Sequence, residues 1–254
     1  MFLIKKLIYK LGSEILGSEL YNRLDFTHHL LNKSAYKQQL EIIKDTPVRT
    51  IFDVGARFGS VSRIYRQLFP GSKVYAFEPF PESYEKLQEN TKQDSCIIPY
   101  NLAISDKTGQ GKLFVNKFSA TNSILPSVDT GTIVDKLIAT KEQIMINTTT
   151  IDEFLMMEGL NGIDILKLDI QGGELKALQG AKNLLSQNKI SLIYTEVEFM
   201  NIYEDQPLFH DVSLYLHSFG YQLYNIYNPW FAKQRLLWAD ALFLSPALLN
   251  LNYS

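Results

Sequence analysis

The stretch RTIFDVGARFGSVSRIYRQLF, residues 49–69, combines a short apolar run, a turn with glycines at 55 and 59, and apolar residues at helical spacing. A strand that passes through a glycine turn directly into a helix is a building unit of parallel α/β sheets, which bind ligands at the carboxyl ends of their strands. The rhythm then repeats. KVYAFEP (73–79) reads as a second strand, PESYEKLQENT (81–91) as a helix opened by proline and acids, and SCIIPYNLAI (95–104) as a third strand. Between residues 105 and 150 it loosens, with DKTGQGKLFVN (106–116) read as a hairpin and FSATNSILPSVDTG (118–131) as a polar loop covering a ligand. TIDEFLMM (150–157) starts a helix near Thr150 or Asp152. DILKLDIQGGELKALQGAKNLL (164–185) supplies a fourth strand and its helix, and KISLIYTEVEF (189–199) a fifth strand. A helix through PLFHDVSLYLHSF (207–219) stops at Gly220, and YQLYNIYN (221–228) and RLLWADALFLS (235–245) form a terminal antiparallel pair.

Of the 254 residues, 46% are hydrophobic, enough for a substantial core. No linker or repeat divides the chain, so one domain over 47–254 is expected after an N-terminal helical extension, residues 1–46. With 25 Lys and Arg against 27 Asp and Glu, the chain lacks the positive excess that drives polynucleotide binding. The single cysteine, Cys96, allows no intrachain disulfide and suits a cytoplasmic setting. MFLIKKLIYKLGSEILGSEL (1–20) is an amphipathic basic segment, too short and charged to span a bilayer and without a signal-peptide pattern. It reads as a helix packed on the domain or a partner subunit, with peripheral contact to an anionic membrane as the second reading. An oligomer stays open.

In the first glycine turn, Gly55 and Gly59 give G-x-x-x-G rather than the G-x-G-x-x-G of dinucleotide-binding folds, and the strand before it ends on Asp53. A carboxylate there repels a pyrophosphate but suits the ammonium and sulfonium end of S-adenosylmethionine. Glu78, followed by Pro79, ends the second strand, where a carboxylate accepts hydrogen bonds from ribose hydroxyls and repels a 2′-phosphate. Adenine is then expected across the third strand's end, near Asn101 to Ala103.

Strand alternation puts Lys167 and Asp169 on one face of the fourth strand, with Asp169 at its carboxyl edge beside the glycine turn. There a carboxylate can take a proton from an attacking hydroxyl, orient a substrate, touch the cofactor, or only close a turn. Lys167 lies deeper, within reach of an acid such as Asp53, and either sustains an ionised carboxylate or is purely structural. Glu174 reads as a helix-terminus acid. Glu196 and Glu198 share a face at the fifth strand's end and, with Asp169, offer oxygen ligands to a divalent metal, an alternative that is not the expectation. His28, His29, His210 and His217 have no metal-ligand spacing, although His210 could approach the site. On the acceptor side stand Glu196, Glu198, Asn122 within FSATNSI, and Asp240 within WADALF, while Tyr203, Tyr227, Trp230 and Trp238 could stack on sugar faces.

With FDVGARFG, FEP, NLAISD, TIDEFL, LKLDIQGGELKALQGA and EVEF in this order, residues 48–245 resemble the FkbM family of S-adenosylmethionine-dependent methyltransferases. The resemblance implies the class I methyltransferase fold, a Rossmann-like, mostly parallel seven-stranded sheet with an antiparallel last strand. It also implies O-methyl transfer to a hydroxyl of a sugar, glycolipid or related metabolite, as in polysaccharide biosynthesis. Asp53, Gly55 and Gly59 match the family's cofactor loop, Glu78 its ribose-binding acid, and Asp169, Gly172 and Glu174 its D-x-E-G-x-E run. Two positions depart. The loop's usual Asn is Arg57, which either pairs with the cofactor's carboxylate or points to solvent, and the middle acid of the later run is Gln171, which removes one candidate base. A non-catalytic partner that keeps the fold for docking on a membrane or biosynthetic complex is the rival from another class.

Overall fold

The computed structural model describes residues 33–131, 134–232 and 234–252. Its centre is a sheet of seven strands: β1 (Thr50–Val54), β2 (Lys73–Phe77), β3 (Ile97–Tyr100), β7 (Ile163–Leu168), β8 (Ile190–Glu198), β9 (Gln222–Ala232) and β10 (Arg235–Leu244). Their order is β3-β2-β1-β7-β8-β10-β9. The first five run parallel, and β10 lies antiparallel between β8 and β9. This is the class I methyltransferase arrangement. The connections run one way from β1 toward β3 and the other way toward β7 and β8, so the sheet's topological switch point lies between β1 and β7.

Alternation along β1 sends Phe52 and Val54 to one core and Ile51 to the other. On the first face, Phe154 of helix α4 (Ile151–Met157) is fully buried, with its ring 5.5 Å from Phe52, 4.7 Å from Phe77 and 4.8 Å from Tyr100. Thr150 caps that helix, accepting from the Glu153 amide. On the opposite face lie α1 (Lys33–Ile42) and α2 (Ser60–Leu68). Ala35, Tyr36 and Ile43 are buried there with Tyr65, Ile165 and Leu192. Tyr65 Oη donates to Gln39 Oε1 at 3.0 Å, and Gln38 Oε1 accepts from Tyr227 Oη, tying α1 to both α2 and β9.

The expected hairpin at 106–116 is instead one strand, β5 (Gly109–Asn116), and its antiparallel partner is the distant β6 (Thr140–Thr149). A second sheet, β4-β6-β5, forms with the two-residue β4 (Ala103–Ile104). The expected third strand is thereby divided: residues 97–100 stay in the main sheet, and the chain leaves it at 101–102 to join the small one. β6 is mostly exposed and polar (TKEQIMINTT), so it carries no apolar alternation to announce it. The amphipathic segment at 1–20, with His28 and His29, lies outside the described residues. No described helix is long and apolar enough to cross a membrane.

Because Phe154 is surrounded by rings on every strand it covers, Phe154→Ala is expected to cost about 3–5 kcal/mol. A urea unfolding midpoint unchanged from that of the native chain would show that this face does not anchor the sheet.

Candidate functional site

At the switch point the chain makes two turns that touch. After β1, the Gly55 and Ala56 amides donate to the Phe77 carbonyl at 3.0 and 2.9 Å, folding the turn over the end of β2. On its other side, the Asp169 amide donates to the Val54 carbonyl at 3.1 Å. A Cβ on Gly55 would lie 2.0 Å from the Asp169 carbonyl oxygen, and its φ is +77°, so only glycine fits. Gly59, at φ +82°, precedes α2 and packs against α3 (Pro81–Thr91), where an added Cβ would meet Leu87 and Thr91 at 2.8 Å.

Asp53 and Lys167 are Cα partners across β1 and β7 and share a face. Lys167 Nζ lies 3.1 Å from Asp53 Oδ1, 3.8 Å from Asp169 Oδ2 and 3.1 Å from the Gly55 carbonyl. Asp53 is completely buried, and Ser62 Oγ donates to its Oδ2 at 2.6 Å. Burial opposes the lysine's charge, but Asp53 and then Asp169 outweigh it and hold the ammonium above its ordinary pKa. Asp53 therefore lies beneath the cavity rather than on its wall, while Lys167 reaches the lining.

One cavity runs along the strand ends. Its first half is walled by Gly55, Ala56, Arg57, Ser60, Glu78, Pro79, Leu102 and Ala103. Glu78 is fixed by two amides, Arg57 N–H to Oε2 at 2.9 Å and Phe80 N–H to Oε1 at 3.0 Å. Burial pushes its carboxyl up to about 7 against the pull of those donors. Asn101 is exposed and does not line the cavity. Its Nδ2 donates to the Glu78 and Pro79 carbonyls at 2.9 and 3.0 Å and so shapes the turn that presents Glu78. Arg57 is half-buried rather than extended into solvent, with its guanidinium over the rings of Phe58 and Phe118 at 4.6 and 5.4 Å.

The second half is lined by Lys167, Asp169, Gln171, Glu196, Asp240, Tyr194 and Tyr36. Asp169 is half-exposed. Gln171 Nε2 donates to Asp169 Oδ1 at 3.2 Å and to Glu196 Oε2 at 2.6 Å. Asp240 Oδ2 accepts from Tyr194 Oη at 2.9 Å and Asn228 Nδ2 at 2.6 Å. Asn122 closes the cavity from the 118–131 loop, its Oδ1 accepting from the Asn116 amide and its Nδ2 buried with no partner. That loop is anchored, with Ser123 Oγ donating to the Gln171 carbonyl and Tyr203 Oη to the Thr121 carbonyl.

Glu198 is buried outside this cavity. It lines a smaller one behind Gln171 and Glu196, together with Trp230 and Trp238, which stack on each other 3.8 Å apart. Tyr203, Tyr227, Trp230 and Trp238 are all absent from the main lining, as is His210, whose Nε2 faces Asp211 at 3.5 Å. Glu174 is buried, its Oε1 accepting from the Ile170 amide at 2.8 Å, and burial raises its carboxyl to about 7. Among the described residues, no three His, Cys, Asp or Glu side chains converge as a metal site. Sequence reasoning missed Tyr36, Ser60 and Tyr194 at the cavity. Tyr194 shares a strand face with Glu196 and was readable by alternation, whereas Tyr36 comes from a polar helix with no motif.

A class I sheet with a ligand cavity at its switch point defines a methyltransferase scaffold. The family model described as the methyltransferase FkbM domain matches residues 53–223, and the chain belongs to that family. It is a methyltransferase. The chain is similar to the 2-O-methyltransferase NoeI of Sinorhizobium fredii, 26% identical over 176 residues that make up 66% of this chain and 71% of that protein. It is also similar to the hexuronic acid methyltransferase AglP of Haloferax volcanii, 23% identical over 148 residues, 58% of this chain and 55% of the relative's length. Among solved structures, the magnesium protoporphyrin IX methyltransferase ChlM of Synechocystis is 10% identical, with a TM-score of 0.48 and 96% of each chain covered. Tyr36 and Asp240 lie outside the residues that the family model matches.

Lys167→Met is expected to cost about 3–5 kcal/mol, because it removes the charge partner of the completely buried Asp53. Adding Asp53→Leu should recover most of that loss. If the two changes destabilise additively in urea unfolding, the pair is not coupled.

Proposed function

We propose that this chain transfers a methyl group from S-adenosylmethionine to a hydroxyl of a small-molecule or glycan acceptor. One observation carries the reading: a single cavity joins the glycine turn and Glu78 at one end to Asp169, Glu196 and Asp240 at the other. The names of the relatives, a 2-O-methyltransferase and a hexuronic acid methyltransferase, support oxygen as the target atom and a sugar as the acceptor.

The residues present fit the cofactor. Glu78 has one lone pair on each oxygen engaged by a backbone amide, which leaves acceptor capacity for two ribose hydroxyls. Leu102 and Ala103, beside Pro79, give apolar walls for a purine. Ser60 opens α2, and its hydroxyl is buried without a partner. Helix N-termini favour carboxylates, so the amino-acid end belongs there. Bound in this half, S-adenosylmethionine supplies an electrophilic methyl group.

The chain's own residues do the rest. Asp169, at the join of the two halves, accepts the proton of the acceptor hydroxyl, an effect worth roughly 10²- to 10⁴-fold in rate. Lys167 stands 3.8 Å from that carboxylate and sets an opposite charge beside it. Glu196 and Asp240 accept from neighbouring hydroxyls and fix the acceptor's orientation. Asp53 acts from below, by holding Lys167 charged.

Calorimetry provides the first test. S-adenosylmethionine should bind, Glu78→Ala should weaken binding severely, and no binding by the native chain would sink the proposal. Glu78 is neutral below about 7 and then has one acceptor fewer, so affinity should fall as pH drops from 8 to 6. Glu78→Gln should flatten that dependence. Asp169→Asn should retain cofactor affinity and lose transfer to hydroxylated acceptors by roughly 10²-fold or more. Equal turnover by the variant would reject Asp169 as the base.

A further inference from the structure

We propose that Gln171 is a positioning residue whose side-chain amide clamps Asp169 and Glu196 together as an ionised, acceptor-facing pair. The proposal rests on the methyltransferase reading above and concerns a position where this chain departs from the family's usual acid.

The geometry leaves the amide little choice. Nε2 carries two hydrogens and lies 3.2 Å from Asp169 Oδ1 and 2.6 Å from Glu196 Oε2. Turning the amide over would press its oxygen against two carboxylates, so the orientation is fixed by charge. Gln171 is itself buried, at 7% exposure. Its Oε1 lies 3.4 Å from Tyr203 Oη, whose one hydrogen goes to the nearer Thr121 carbonyl at 2.9 Å, and the Gln171 carbonyl accepts from Ser123 Oγ at 2.7 Å. Both clamped carboxylates line the main cavity, and Gln171 also lines the smaller one behind it.

The surroundings make such a donor necessary. Asp169 faces Lys167 and, through it, Asp53 on β1. Glu174 lies five residues on, Asp240 is the register partner of Glu196 on β10, Glu198 lines the smaller cavity behind Gln171 and Glu196, and Tyr36, Tyr194 and Tyr203 also stand around the pair. Carboxylates so placed raise one another's pKa unless donors compensate. A neutral amide gives one hydrogen to each at every pH. A glutamate at this position could do so only by holding a shared proton, and then for one partner alone.

Two substitutions separate the effects by sign. Gln171→Met keeps the bulk and removes both donors. The acid limb of kcat should move to higher pH by about one unit, which is roughly a tenfold loss at a pH on that limb and little change well above it. Gln171→Glu should work while it holds a proton and lose rate as pH rises, an alkaline limb not expected of the native chain at those pH values. S-adenosylhomocysteine affinity should change less than about twofold in both, since the clamp is outside the cofactor half.

A measurement without acceptor isolates the clamp. In the S-adenosylhomocysteine complex, carboxyl carbon NMR titrations, assigned with Asp169→Asn and Glu196→Gln, should place both groups lower in the native chain than in Gln171→Met. Identical titrations would overturn the proposal. If the carboxyls shift but the transfer rate does not follow, the clamp stands and Asp169 is not the base. Should Gln171→Met fail to fold, Gln171→Glu carries the same test, with a third carboxyl resonance and the Asp169 and Glu196 curves displaced from native.

Discussion

The contact between Gly55 and the Asp169 carbonyl is the constraint on which the site depends. Two strand ends can meet this closely only because residue 55 has no side chain, and the Asp169 amide then seals the join through Val54. Lys167 reinforces it from below, binding the Gly55 carbonyl and Asp53 together. With that seam closed, Glu78 and Asp169 fall on one cavity. Were it open, the two halves of the cavity would be separate surfaces.

Charge is distributed unevenly along the cavity. Asp53 is neutralised beneath it, so the first half presents a single carboxylate, Glu78, to hydroxyl donors. The second half presents Asp169, Glu196 and Asp240, with Lys167 below and Gln171 between. Hydrogen-bond acceptors thus dominate the second half, which fits the proposed hydroxyl-bearing acceptor. Tyr36 reaches the cavity from α1, outside the residues that the family model matches, because α1 is pinned to α2 and β9 by Gln39 and Gln38.

Much of this was legible in the sequence, for identifiable reasons. Each central strand of the parallel core is an apolar run stopped by a turn, and period-two alternation put Lys167 and Asp169 on one face without any structure. The small sheet was not legible, because β6 is polar along most of its length and pairs with β5 across a long loop. At Arg57 the sequence raised only a side-chain question, the cofactor's carboxylate or solvent. Its φ is +51°, a left-handed conformation that suits the family's usual Asn, and its clear service is the backbone N–H given to Glu78. Gln171, the other departure, also has positive φ, +55°, and there the side chain does matter. Local pattern does not say which two carboxylates a buried amide will reach, since one of them, Glu196, belongs to a strand 25 residues away.

A crystal structure of the complex with S-adenosylhomocysteine would test the central claim most directly. The account predicts ribose hydroxyls on Glu78, the purine against Leu102 and Ala103, and the sulfur beside the Gly55–Asp169 seam, facing Asp169. A ligand bound elsewhere, or in this cavity with its sulfur turned away from Asp169, would contradict it.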